Sequence, residues 1–266
     1  MTIPPAMLPG ADGDAPGGPP LIEADGLTKS YDGFTAVDGL SFAVGAGEVL
    51  GLVGPNGAGK TTTLRSLCGI INPTAGRIRI AGYDLATDPV AAKQRLAFIP
   101  DEPHLFDYLT VEEHLRFIAR LYGVADAEAR APGLLDELEL TEKRRSLPTE
   151  LSRGMKQKLA IACGLLHDPE VLILDEPLTG LDPGGMRKMR ATIAARARAG
   201  TAVLLSSHLL HLVEELCTKL LVIRRGRVVA TGTLDEIVTA RPELAGLSLE
   251  EVFLALTADG APAPTP

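Results

Sequence analysis

Apolar residues gather in short unbroken runs, Val49 to Val53, Val171 to Leu174, Ala202 to Leu205 and Leu220 to Ile223, separated by amphipathic stretches. Runs of this length without polar alternation read as buried strands of a largely parallel sheet. Helices are expected between them: Leu64 to Ile70, Pro183 to Ala197 with proline in the first turn, and Leu209 to Leu216 with apolar residues at helical spacing. Gly226 turns Arg224 to Arg227 into a hairpin leading to Val228, Val229 and Ala230. From about Asp101 to Leu166 the strand signal fades. Thr110-Val111-Glu112-Glu113 is a capping box opening a helix to about Leu121, and Ala131 to Leu138 reads as another. The pattern predicts an α/β chain with a helical subdomain inserted at about 101–166. Met1 to Pro20 hold six Pro and four Gly, and Asp259 to Pro266 are rich in Ala and Pro. Neither stretch can bury enough apolar surface to offset its ordering entropy, so both are expected to be disordered tails around a folded unit of 21–258.

Chemistry enters directly after the first buried run. Gly54-Pro55-Asn56-Gly57-Ala58-Gly59-Lys60-Thr61 follows the pattern Gly-x-x-x-x-Gly-Lys-Thr and leads through Thr62 into a helix. Glycines let consecutive backbone N–H groups curl around an anion, and a helix N-terminus adds its positive end. Lys60 is placed to reach the β- and γ-phosphates of a nucleoside triphosphate, and the Thr61 hydroxyl to ligate Mg²⁺. The second apolar run ends in Asp175 and Glu176. Beside Lys60, this pair reads as the completion of a metal site, with Asp175 holding Mg²⁺ and Glu176 orienting the attacking water or accepting its proton.

Charge and composition narrow the partners. There are 26 Lys and Arg against 34 Asp and Glu, a net charge of −8, so no overall positive field draws the chain to nucleic acid or anionic lipid. The clusters Lys143-Arg144-Arg145 and Arg224-Arg225-Gly226-Arg227 read as solvated turns. Cys68, Cys163 and Cys217 lie far apart among apolar neighbours and read as reduced core residues. No segment approaches the roughly 20 apolar residues that span a bilayer, and no signal peptide is evident. The chain is therefore expected to be cytosolic, and any membrane spans to come from another polypeptide.

Leu151-Ser152-Arg153-Gly154-Met155-Lys156-Gln157-Lys158-Leu159 precedes a helical stretch to Leu166, with Ser152 as a candidate N-cap. Here the chain resembles the ABC (ATP-binding cassette) ATPase family, whose Leu-Ser-Gly-Gly-Gln signature stands at this distance before the Asp-Glu strand. Leu151, Ser152 and Gly154 match, whereas Arg153 and Met155 depart. Tyr31 matches the aromatic that stacks on adenine, Thr179-Gly180-Leu181-Asp182 is similar to the D-loop, and Ser206-Ser207-His208 to the switch-histidine loop. His104, His114, His167 and His211 read as ordinary packed or surface residues. The resemblance covers about Leu21 to Leu256. It implies a P-loop NTPase core with a largely parallel sheet, an antiparallel β subdomain and an inserted helical subdomain. It also implies ATP and Mg²⁺ as cofactors, hydrolysis through Lys60, Glu176 and His208, and a head-to-tail pair of cassettes. In that pair Ser152 and Gly154 of one cassette cap the ATP held by the other, with Asp182 at the same nucleotide interface.

One departure touches the metal. Where the family usually carries Gln after a Pro, this chain has Pro100-Asp101-Glu102-Pro103. Asp101 is read as a contact to Mg²⁺, direct or through water, the alternative being a loop acid turned to solvent. The tail Ser248-Leu249-Glu250-Glu251-Val252-Phe253-Leu254-Ala255-Leu256-Thr257 opens with a capping box and resembles that of cassettes serving ABC-2-type exporters. The resemblance implies a subunit powering a separately encoded integral membrane permease, peripheral at the inner face of the cell membrane. A non-transport ABC ATPase of cytosolic cluster assembly is the alternative.

Overall fold

The computed structural model describes residues 18–258, so the expected disordered tails lie outside the described residues except for positions 18–20. The chain opens with β1 (Ile22–Tyr31) and β2 (Phe34–Val44), joined by the turn Asp32-Gly33, where both residues take positive φ (33° and 86°). Such a turn matches the twist of the strands it connects. Then come β3 (Val49–Val53), α1 (Lys60–Leu67), β4 (Ala75–Ile80), β5 (Tyr83–Asp84), α2 (Pro89–Gln94) and β6 (Leu96–Ile99). Next the chain forms α3 (Val111–Tyr122), α4 (Ala127–Glu137) and α5 (Arg153–Leu165). The chain then returns through β7 (Val171–Asp175), α6 (Pro183–Arg198), β8 (Ala202–Ser206), α7 (Leu210–Leu216), β9 (Lys219–Arg224), β10 (Arg227–Gly232), α8 (Leu234–Ala240) and α9 (Leu249–Thr257).

β2-β1-β4-β5 form an antiparallel sheet, and β10-β9-β3-β8-β7-β6 a second sheet in that order. The second is parallel throughout except for the β9–β10 hairpin. Parallel neighbours need long crossovers, which is why helices separate these strands in sequence. Every residue of β3, β7 and β8 is buried, as unbroken apolar runs require. Alternate side chains feed two cores. Leu50, Leu52, Val171, Ile173, Leu204 and Leu221 join Ile22, Leu40 and Leu64 on the side of α1 and the antiparallel sheet. Val49, Val53, Leu172, Leu174, Val203 and Leu205 join Leu115, Leu159 and Ile193 on the side of α3, α5 and α6. At about 1.5–3 kcal/mol per fully buried aliphatic side chain, these two layers hold the sheet between them.

Two helices differ from their expected bounds by more than one residue. α1 begins at Lys60 and ends at Leu67 rather than reaching Ile70, because the chain turns left-handed at Gly69 (φ 61°). α4 starts a turn before Pro132 and carries that proline inside it, at the cost of one backbone hydrogen bond. The capping boxes at Thr110 and Ser248 both form, and Ser152 caps α5 by accepting from Met155 N at 3.2 Å. Among the described residues no helix is long and apolar enough to cross a membrane. Cys68, Cys163 and Cys217 are free thiols, and burial pushes Cys163 and Cys217 up to about 12.

Candidate functional site

The neighbouring strands β3, β8, β7 and β6 all end at one edge of the sheet, so the loops after them emerge side by side. This carboxyl edge is where open α/β sheets bind ligands. A cavity of about 510 Å³ opens there, lined by Asn56 to Thr62 from the Gly-rich loop, Asp101, Asp175, Glu176, Thr179 and His208, with Phe34 and Ala36 from β2.

The Gly-rich loop is held by backbone. A side chain at Gly54 would collide with the Ile223 carbonyl, and Gly59, at φ 105°, passes against the carbonyl of Ala36. The Gly226 N–H donates to Ala58 O at 2.9 Å. The β9–β10 turn, expected only as a solvated basic corner, thus also buttresses the loop. Lys60 Nζ donates to Gly54 O at 2.6 Å and Pro55 O at 3.2 Å, which holds the ammonium over the loop. Burial lowers the Lys60 pKa, opposed by the nearby carboxylates of Glu176 and Asp175.

Asp175 closes β7 and is 7% exposed, and the Ser206 hydroxyl from β8 donates to its carboxylate at 2.6 Å. One residue on, Glu176 takes φ +50°, a strained conformation for a residue with a Cβ. Its N–H donates to Ser206 O at 3.1 Å. Its carboxylate accepts from the His208 N–H at 3.3 Å and lies 2.8 Å from His208 Nδ1. Burial raises the Glu176 pKa against the opposing pull of His208 and Lys60. The carboxylate is therefore a better proton acceptor near neutral pH than an ordinary glutamate.

The lining fits a metal nucleotide. Thr61 and Asp175 offer hard oxygen donors to the same cavity. Among the described residues no group of three His, Cys, Asp or Glu could hold a metal by itself. Mg²⁺ at such a site would take waters and phosphate oxygens as most of its ligands. The buried Thr179 hydroxyl, without a partner among the described residues, is a further polar group at the cavity.

Ser152, Gly154, Asp182 and Tyr31 do not line this cavity. Ser152 is exposed at the start of α5. Gly154 packs on the D-loop so closely that a methyl there would lie 2.9 Å from Gly180 O. Asp182 caps α6, accepting from Gly185 N at 3.2 Å. Tyr31 stands 42% exposed at the β1–β2 turn under Lys29 Nζ, 4.9 Å from its ring centroid, while its cross-strand partner Phe34 reaches the cavity. Phe34 and Thr179 join the lining of the cavity and Ser206 holds Asp175, placements that the motifs alone do not assign. Phe34 had a visible signal, an aromatic beside the Asp-Gly turn, whereas the role of Ser206 depends on β8 lying next to β7.

The family model described as "ABC transporter" matches residues 37–179. The chain is 41% identical over 234 residues to the Nod factor export ATP-binding protein I of Paraburkholderia xenovorans (strain LB400), covering 87% of this chain and 76% of that one. It is 34% identical over 243 residues to the ABC-type transporter ATP-binding protein EcsA of Bacillus subtilis (strain 168), covering 91% and 98%. A solved structure described as an ATP binding subunit of an ABC transporter superposes with a TM-score of 0.86 at 39% identity, over 90% of this chain and all of that one. These relatives favour the transporter reading over cluster assembly. The chain belongs to the ABC transporter family, as an ATP-binding subunit that hydrolyses ATP to drive transport.

Proposed function

We propose that this cassette powers export through a separate integral membrane permease and works as one of a pair of cassettes. The observation that supports pairing is a division in space. Lys60, Asp175, Glu176 and His208 share one cavity, while Ser152 and Gly154 lie outside it at the start of α5. The Ser152 hydroxyl, the Gly154 N–H and the positive end of α5 suit a γ-phosphate held by a second cassette. Lys60 binds phosphate oxygens, His208 holds the Glu176 carboxylate, and Glu176 orients the attacking water and takes its proton. Loss of the γ-phosphate then removes the bridge between cassettes. When bound, Mg²⁺ would neutralise phosphate charge, with Thr61, Asp175 and Asp101 as its protein contacts.

Export is supported by the names of relatives, which include the Nod factor export protein and the linearmycin resistance ATP-binding protein LnrL of Bacillus subtilis (strain 168), 36% identical over 82% of this chain and 70% of that one. A surface for the permease is offered by the loop after β6 and by α3. Phe106 and Phe117 meet edge to face at 5.1 Å, Leu121 follows one turn later, and Tyr108 is 92% exposed. This apolar face stands on the helical insertion, from which a partner's motion can reach the nucleotide loops. In this reading the cassette works at the inner face of the cell membrane, and nucleic acid is not a partner.

Two experiments test it. Affinity purification from detergent-solubilised membranes is expected to recover a polypeptide with several apolar spans, and replacing Phe117 and Leu121 with Ser is expected to release it. Recovery of only aqueous scaffold proteins would refute the transport assignment for this complex. Asp101→Asn is expected to raise the Mg²⁺ concentration for half-maximal ATPase activity severalfold, since an amide is a weaker Mg²⁺ contact than a carboxylate. An unchanged metal dependence would remove Asp101 from the site.

A further inference from the structure

Two of the positions at which the chain departs from the family pattern meet in space. Arg153 Nη2 donates to Asp101 Oδ1 at 3.3 Å, joining the start of α5 to the loop after β6. One helical turn further on, buried Gln157 donates to Pro100 O at 3.3 Å, so α5 grips this loop twice on one face. Arg153 sits in the first turn of α5, which contains no acidic residue, so the positive helix end disfavours its charge and the nearby carboxylate compensates. Its stem is steered by the D-loop, since a methyl at Gly180 would lie 3.0 Å from Arg153 Cδ. Asp101 also lines the nucleotide cavity together with Thr61 and Asp175.

We propose that Arg153 is a positioning residue that competes with the metal for Asp101 and so sets how much Mg²⁺ the cassette needs to bind nucleotide. This rests on the reading of Asp101 as a metal contact. A carboxylate engaged by a guanidinium has less negative charge to offer a second cation, so each partner weakens the other's hold. The pair is single-contact and half exposed, with side-chain exposures of 57% and 42%, and pairs of this kind are weak enough to exchange. Release of Arg153 when the metal takes Asp101 leaves the guanidinium beside Ser152, on the surface offered to the second cassette. Metal loading in one site is thereby linked to the charge presented to the other.

The test follows Mg²⁺-dependent binding of a fluorescent, non-hydrolysable ATP analogue to the full chain, at protein concentrations where it is monomeric, so that turnover and the second cassette do not enter. Arg153→Gln is expected to lower the Mg²⁺ concentration for half-maximal binding about two- to fivefold, the size of an exposed pair. Asp101→Asn is expected to raise it, and the double variant to match Asp101→Asn alone. Arg153→Lys, which keeps the charge, is expected to stay near wild type. If Asp101→Asn shifts the titration and Arg153→Gln does not, the competition is wrong and the metal reading of Asp101 stands. If neither shifts it, both fall. An equal shift from Arg153→Gln with and without Asp101 would mean that Arg153 acts elsewhere and would overturn the proposal, as would a Lys variant that behaves like Gln.

Discussion

Glu176→Gln is expected to lower ATP turnover by about 10²- to 10⁴-fold while leaving ATP binding intact, the range in which a positioned proton acceptor contributes to a rate. The amide keeps the shape and can still engage His208, so the strained turn at φ +50° and its hydrogen bonds to Ser206 remain. What is lost is the ability to take a proton. Burial raises the Glu176 pKa, so its active, ionised form disappears at a higher pH than for an exposed glutamate. As pH falls through that raised value the wild-type rate drops, and this acid limb is expected to be missing from the residual rate of the Gln variant. Single-turnover hydrolysis across pH measures both. Near-wild-type turnover in the variant would remove Glu176 from the role, and an acid limb in the ordinary carboxylate range would show that burial does not tune it.

Lys60→Ala is expected to weaken ATP binding by about tenfold to a hundredfold, the worth of charge-assisted hydrogen bonds to phosphate. The fold should survive. The loop is shaped by close packing of Gly54 and Gly59 and by the Gly226 N–H on Ala58 O, none of which uses the Lys60 side chain. The ammonium itself is bonded to Gly54 O and Pro55 O, carbonyls at the edge of the loop that water can serve once it is gone. The substitution Lys60→Arg is not expected to retain wild-type affinity, because a planar fork cannot replace a compact ammonium among backbone carbonyls. Equilibrium binding of a fluorescent ATP analogue, with thermal unfolding as a control, decides it. Unchanged affinity in the Ala variant would contradict the phosphate role of Lys60, and a collapsed melting transition would show that the ammonium supports the loop.

Much of this molecule was legible as pattern. The apolar runs within β3, β7, β8 and β9 advertise strands buried on both faces, since their side chains meet apolar neighbours on either side until the strand ends, where Asp175 and Ser206 are buried against each other. The box at Thr110 marks its helix start, since its partners are three residues apart and meet without help from the fold. α4 was harder to bound because Pro132 imitates a helix start, and only packing of Leu134 and Leu135 in the core shows that the helix continues through it. Ser152 as a cap was readable for the same local reason as Thr110, but its exposure away from the Lys60 cavity was not.

The local chemistry of this protein is written in adjacent residues: a glycine-rich loop that turns back on itself, a lysine beside it, and a carboxylate pair at a strand end. Each depends on residues adjacent in the chain, where bond geometry alone sets their relation. The tertiary structure decided the pairings between distant segments, Asp175 with Ser206, Glu176 with His208 and Asp101 with Arg153. Those depend on strand order, which places β6, β7 and β8 side by side although long helical crossovers separate them in sequence, and on α5 packing over the loop after β6. Strand order emerges from how both faces of the sheet are covered at once, a property of the whole core that no single stretch of sequence carries.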